Sequence, residues 1–215
     1  VRLIEKIDTH SFCNVVHVIN QEYVVCGCGD STVRLYSLQT GQVLRFYEGC
    51  SDRVLAVASF TRTLPDLSKA NYDYIKQNKV KSWADQIDVP EHDITIVAGS
   101  RDEHICAWNM MSGKGEFQIP AHEGAVWALA CTSFYENTEN LPAKFRGRAD
   151  VPVVRCVLST GADGLVKMWD LDNGIHLKTY RMHGGRVNAV DILVDVNAPF
   201  EFKAVSCGVD RKIHV

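Results

Sequence analysis

Asp163-Gly-Leu-Val-Lys-Met-Trp-Asp170 is one of four copies of a single pattern in this chain. The others are Asp30-Ser-Thr-Val-Arg-Leu-Tyr36, Asp102-Glu-His-Ile-Cys-Ala-Trp108 and Asp210-Arg-Lys-Ile-His-Val215. In each, an aspartate follows a Gly/Ser-rich turn and an apolar residue stands three places later. An aromatic stands six places after the first three aspartates; the fourth copy stops one residue short of it. A second signature lies upstream. His122-Glu-Gly-Ala-Val-Trp-Ala-Leu129 matches His183-Gly-Gly-Arg-Val-Asn-Ala-Val190, and Cys50-Ser-Asp-Arg-Val-Leu-Ala-Val57 keeps the spacing with Cys in place of His. Between each aromatic and the next signature sits a turn at Thr40-Gly41, Ser112-Gly113 or Asn173-Gly174. Self-similarity at this period is the mark of a repeat architecture.

Around these copies run short apolar or alternating segments, among them Tyr23–Cys26, Val33–Leu38, Val43–Tyr47, Ile94–Ala98 and Val153–Ser159. They read as strands bounded by Gly and Asp turns. A four-stranded unit of this kind cannot bury both faces of its own sheet. Stacking neighbouring units face to face buries them.

Composition narrows the function classes. Of 215 residues, 46% are hydrophobic and 23% charged, enough apolar material for a core and too much for wholesale disorder. Twenty-three basic against twenty-six acidic residues give a net charge of -3. That balance disfavours generic binding to nucleic acid or a membrane surface, which needs excess positive charge. The longest apolar run, Ala125–Cys131, is far below the ~20 residues of a spanning helix. The eight cysteines form no CxxC pair and lie mostly within apolar segments, so they read as small buried hydrophobes of a reducing compartment, cytoplasm or nucleus. The chain opens at Val1 rather than methionine, so it reads as part of something longer.

The fourfold pattern, with Trp169-Asp170 as its eponymous dipeptide, resembles the WD-repeat family of β-propellers over nearly the whole chain. The resemblance implies an all-β fold of about four four-stranded blades. Two insertions, residues 61–93 and 135–152, interrupt the loops joining first and second strands. What remains corresponds to about four units of ~40–45 residues. Arg2–Asp8 reads as an outermost strand without partners before it, and the last repeat lacks its outermost strand. A four-bladed ring closed by that N-terminal strand stays open as an alternative. The favoured reading is an arc of a larger ring of about seven blades, whose end faces need covering.

The same resemblance assigns a structural role to residues that otherwise invite a hydrolase reading. His122, Ser159 and Asp163 have the composition of a nucleophilic triad. In WD-repeat blades, however, the matching His, Ser, Asp and Trp form a buried hydrogen-bond network, here His122, Ser159, Asp163 and Trp169. The fourth repeat supplies His183, Ser206 and Asp210. The second offers Asp102 and Trp108 with Cys50 and Ala98 at the other two places, and the first Asp30 and Tyr36 with Cys26 and an out-of-phase His10. These two blades are expected to be less rigidly tied, since each lost partner leaves a polar group to be satisfied elsewhere. No phosphate loop is complete at Ser112-Gly-Lys-Gly115, and no metal-binding pair occurs at helical spacing. The expectation is no enzyme, no cofactor and no metal.

Recognition is expected at the rims. The His and Asp turns share the end conventionally called the top; the insertions belong to the other. Arg53, Arg101, Arg186 and Arg211 fall around the top opening, and four guanidinium groups at one mouth suit carboxylate or phosphate. Local pairing, Arg101 with Glu103 or Arg53 with Asp52, is the plainer alternative. In the first insertion, Tyr72, Val80, Trp83 and Ile87 share one face of a helix, which fits packing on the propeller's own rim or docking a partner. The basic end of the second, Lys144, Arg146 and Arg148, suits RNA or an acidic partner. The chain therefore reads as a non-catalytic scaffold for protein–protein contacts, with other proteins or peptides, phosphorylated ones included, as partners. A ubiquitin-ligase substrate receptor using the four arginines, similar to F-box/WD-repeat proteins, is one alternative. A regulatory module fused to an enzyme is another.

Overall fold

A computed structural model describes residues 7–61, 94–135, 153–194 and 202–215. The expected strand at Arg2–Asp8 lies mostly outside these residues, as do the amphipathic segment at 72–87 and the basic end of the second insertion. Ile7 and Asp8, which are described, are not in a strand.

Among the described residues, fifteen strands form four antiparallel sheets in chain order. The first holds β1 (Cys13–Val18), β2 (Tyr23–Cys28), β3 (Val33–Ser37) and β4 (Val43–Tyr47). The second holds β5 (Val54–Thr61), β6 (Ile94–Ser100), β7 (His104–Asn109) and β8 (Gly115–Pro120). The third holds β9 (Val126–Tyr135), β10 (Val153–Gly161), β11 (Val166–Asp170) and β12 (His176–Tyr180). The fourth has three strands, β13 (Val187–Val194), β14 (Phe202–Gly208) and β15 (Ile213–His214). Every sheet is a simple meander, and the strands that touch between sheets are mainly the first of each: β1 with β5, β5 with β9, β9 with β13. Those strands are innermost; β4, β8 and β12 lie outermost and largely exposed. This is a run of four propeller blades.

The core lies between blades. Val25, Val33, Leu35 and Tyr47 of the first blade pack on Val54, Ile96, Cys106 and Trp108 of the second. Val97, Ile105 and Ala107 of the second pack on Val126, Val157 and Trp169 of the third. Leu158 and Val166 of the third pack on Val187 and Val190 of the fourth. Alternate residues of one strand thus face opposite neighbours, which is why the buried strands read as nearly continuous apolar runs. The positions corresponding to Val25 and Val33 in the fourth blade are Val205 and Ile213. There they are 38% and 72% exposed, against 0% for both in the first blade, because among the described residues no blade packs on that face.

Close packing explains two glycines. A Cβ on Gly27 would lie 2.5 Å from a methyl of Val54, and one on Gly99 2.5 Å from a methyl of Val126. The second strand of each of these blades therefore lets the next inner strand approach its bare backbone. All eight cysteines are free, and five are buried; Cys13 is exposed, contrary to the expectation that all act as buried hydrophobes. Burial is the chief cause that pushes the thiols of Cys26 and Cys156 up to about 12, which leaves them unreactive.

Candidate functional site

The repeated aspartate makes a local turn. In all four blades its Oδ1 accepts the amide of the residue two places on: Thr32 to Asp30, His104 to Asp102, Leu165 to Asp163 and Lys212 to Asp210, at 3.0–3.2 Å. The residue between is left-handed each time: Ser31 (φ 67°), Glu103 (76°), Gly164 (78°) and Arg211 (63°). Asp satisfies such a turn through its own side chain. The signature is therefore largely self-sufficient.

Its second carboxylate oxygen reaches across to the preceding loop. In the third blade His122 Nδ1 lies 3.0 Å from both oxygens of Asp163, and the Glu123 amide donates to Oδ2 at 3.1 Å. His122 Nε2 meets Ser159 Oγ at 2.8 Å, and the Trp169 indole N–H donates to the same hydroxyl at 2.8 Å. The His122 side chain is wholly buried and Ser159 is 0% exposed. Burial lowers the pKa of His122 more than Asp163 raises it, so the ring is neutral. Its one proton then sits on Nδ1, facing an acceptor-only carboxylate, and Ser159 donates to Nε2. His122, Ser159, Asp163 and Trp169 are brought together inside one blade.

The fourth blade repeats three members. His183 Nδ1 lies 3.0 Å from both oxygens of Asp210, and its Nε2 lies 2.9 Å from Ser206 Oγ. Donation from His183, with further bonds from Gly184 and Lys212, holds Asp210 down at about 2. In the second blade the aspartate is served differently. Asp102 takes the amide and, at 2.9 Å, the hydroxyl of Ser51, while Ser100 Oγ binds the Asp102 amide. Burial acts to raise its pKa, but these donors outweigh it and the net shift is downward. Trp108 is outside this set: its indole donates to the Glu48 carbonyl at 3.0 Å.

The first blade departs furthest. His10, expected beside Asp30, is exposed and left-handed (φ 55°), and bonds Asp8 instead. It stands three residues before the start of β1, whereas His122 and His183 stand four before the starts of β9 and β13. Arg34 takes its place: the guanidinium is ion-paired to Asp30, bonds the Thr9 carbonyl and donates to Thr32 Oγ1 at 3.0 Å, with a side chain only 10% exposed. Tyr36 packs in an apolar cluster with Val24, Cys26 and Cys28. Sequence reasoning missed Arg34, although a lone arginine in an otherwise apolar strand was the available signal.

The four rim arginines do not form one cluster. The backbone pairs Arg101 N with Arg53 O at 2.9 Å in the second blade. The corresponding pair in the third blade is Ala162 with Ala125, and in the fourth Val209 with Arg186. Two groups therefore flank a blade that carries alanines. All four are exposed. Arg101 Nε lies 3.9 Å from Asp52, and Arg186 stacks 4.4 Å from the Trp127 ring centre while donating to Asn188 at 2.8 Å. Arg101 thus approaches Asp52 rather than the expected Glu103.

Comparison with known proteins agrees with this geometry. The profile of the family described as WD domain, G-beta repeat, matches residues 113–170, which include Asp163, Trp169 and Asp170. The chain is similar to the WD-repeat family, whose profile it matches over these residues. Among curated WD-repeat relatives, "WD repeat-containing protein pop1" of Schizosaccharomyces pombe is 28% identical over 80% of this chain and 22% of its own length. "Eukaryotic translation initiation factor 3 subunit I" of Botryotinia fuckeliana is 29% identical over 40% of this chain and 20% of its own. The chain spans about a fifth of the length of these relatives. A solved structure described as "RRP9 WD40 repeats" superposes over 94% of this chain and 46% of its own, with 17% identity and a TM-score of 0.58. That likeness shows the WD-repeat fold.

Proposed function

We propose that this chain is a non-catalytic WD-repeat scaffold that holds other proteins through its rims, in the cytoplasm or nucleus. The observation that carries the reading is the contrast between interior and rim. The polar groups with the composition of a catalytic triad are spent on tying a loop to a turn. Ser159, the only hydroxyl of that set, is fully enclosed and shared between His122 and Trp169, so no substrate carbonyl reaches it. The turns, by contrast, present Arg53, Arg101, Arg186 and Arg211 to solvent on a rigid frame. The relative named as a subunit of a translation initiation factor supports membership of a larger assembly. No helix among the described residues is long and apolar enough to cross a membrane.

The finer reading is that this rim takes acidic or phosphorylated segments, with Arg53 and Arg101 as one contact and Arg186 and Arg211 as the other. Stacking on Trp127 holds the Arg186 guanidinium ready for a bidentate partner. Affinity purification with the intact chain and with a variant whose residues 62–93 are replaced by a short turn tests the scaffold. Specific retention by either supports it; no protein retained by either overturns it. Phosphorylated and plain peptide libraries test the rim. Preference for phosphopeptides that vanishes in an Arg101→Ala/Arg186→Ala variant is expected, and unchanged binding removes the arginines from the account.

A further inference from the structure

The fourth position after each turn aspartate has occupants that differ in a chemically ordered way. In the first blade it is Arg34, ion-paired to Asp30. In the third it is Lys167, whose Nζ lies 3.9 Å from Asp163 and donates to the Ala121 carbonyl at 2.6 Å. In the second it is Cys106, in an apolar cluster with Cys50, where the serines already serve Asp102. In the fourth it is His214. Its ring stands edge-on to His183, with centroids 4.5 Å apart and planes at 90°. Its Nε2 is buried and has no hydrogen-bond partner among the described residues. One buried ring nitrogen therefore stands unmet in the blade whose aspartate, unlike those of the first and third, has no lysine or arginine at this position.

We propose that His183, Asp210 and His214 form a binding site for a divalent transition-metal ion, zinc by its ligand chemistry, which supplies the positive charge that Arg34 and Lys167 supply in their blades. One ligand atom from each of the three lies within 4.8 Å of the others. A tetrahedral zinc ion with bonds of about 2.0–2.1 Å holds its ligands roughly 3.3 Å apart, so small side-chain rotations close the set. Two imidazoles and one carboxylate favour zinc and its neighbours over magnesium or calcium, which take oxygen ligands. Three protein ligands leave the fourth place to water.

The surroundings are already arranged to orient the ligands. Ser206 Oγ lies 2.9 Å from His183 Nε2, so His183 binds metal through Nδ1 with its proton moved to Nε2, donated to Ser206. The Gly184 and Lys212 amides hold the Asp210 carboxylate at 3.1 and 3.2 Å. The three ligands come from a loop before β13, a turn after β14 and β15, which is why no spacing in the sequence announces them.

Calorimetric titration of the full chain with zinc chloride, with thermal unfolding at each metal ratio, tests the site. The expected result is one zinc bound per chain and a melting temperature raised by zinc but not by magnesium. His214→Ala weakens binding by about 100-fold or more, since even outer partners of metal ligands contribute 10–100-fold. His214→Lys places a cation where Lys167 stands in the third blade; it abolishes zinc binding and melts higher than the parent without metal. Cobalt substitution separates this site from the cysteines: a spectrum without thiolate charge transfer supports it. Equal zinc affinity in the parent and both His214 variants overturns the proposal, as does a thiolate-dominated cobalt spectrum or no binding at all.

Discussion

Ser159→Ala removes one oxygen from the centre of the third blade, and its cost follows from what that oxygen serves. The hydroxyl donates to His122 Nε2 and accepts the Trp169 indole N–H, both at 2.8 Å, in a place closed to water. Deleting it orphans one buried acceptor and one buried donor, each costing about 1–3 kcal/mol. The methyl leaves little cavity, so the expected loss is about 3 kcal/mol. The second blade shows what a rewired version looks like: Ala98 stands at this position, and Trp108 turns its indole to the Glu48 carbonyl. In the third blade the Trp169 indole is committed to Ser159. Urea unfolding followed by tryptophan fluorescence, with hydrogen exchange to localise the loss, measures the effect, since repeat arrays can unfold in parts. Trp169→Phe completes a double-mutant cycle, with a coupling of roughly 1–2 kcal/mol expected from the shared bond. A loss below about 1 kcal/mol, or strict additivity, would refute the reasoning that this network ties the blade.

Three further outcomes are expected. Gly99→Ala drives a methyl to 2.5 Å from Val126 and wedges the second blade from the third, at about 1–3 kcal/mol by chemical denaturation; a neutral result means the blades slide freely. Arg34→Ala strips Asp30 of its ion pair and frees the Thr9 carbonyl, and because Asp30 is partly exposed the loss is about 2 kcal/mol, with hydrogen exchange rising around Thr9–Thr32. Burial lowers the pKa of both His122 and His17 below the unfolded value of 6.5, so the unfolded chain binds more protons. Stability from these groups is therefore present above that value and declines as pH falls below it. Melting temperatures between pH 7.5 and 5.5 follow the decline, and an NMR titration that protonates His122 at or above 6.5 contradicts it.

Much of the fold is legible in the chain because its signals are local. An aspartate that accepts the amide two residues on, followed by a left-handed residue, needs no distant partner, so the four turns and their flanking strands can be read directly. The site is legible only where the repeat is complete: His122, Ser159, Asp163 and Trp169 meet in the network that the resemblance to WD repeats implies. Where a member is missing, the substitute comes from elsewhere. Nothing in the spacing of the first repeat says that Arg34 rather than His10 reaches Asp30, and nothing in the second says that the Trp108 indole turns to the Glu48 carbonyl where Ala98 offers no hydroxyl.

By itself, then, the sequence determined the repeat, the all-β class and the partition of apolar residues to both faces of the sheets, since periodicity and turn chemistry act over a few bonds. The tertiary structure decided which groups meet. It divided the rim arginines into two groups around Ala125 and Ala162, exposed Val205 and Ile213 at positions buried in the other blades, and set His214 against His183 and Asp210. Those outcomes depend on contacts between residues tens of positions apart and on which blade lies next to which, and the chain fixes them only once it is stacked.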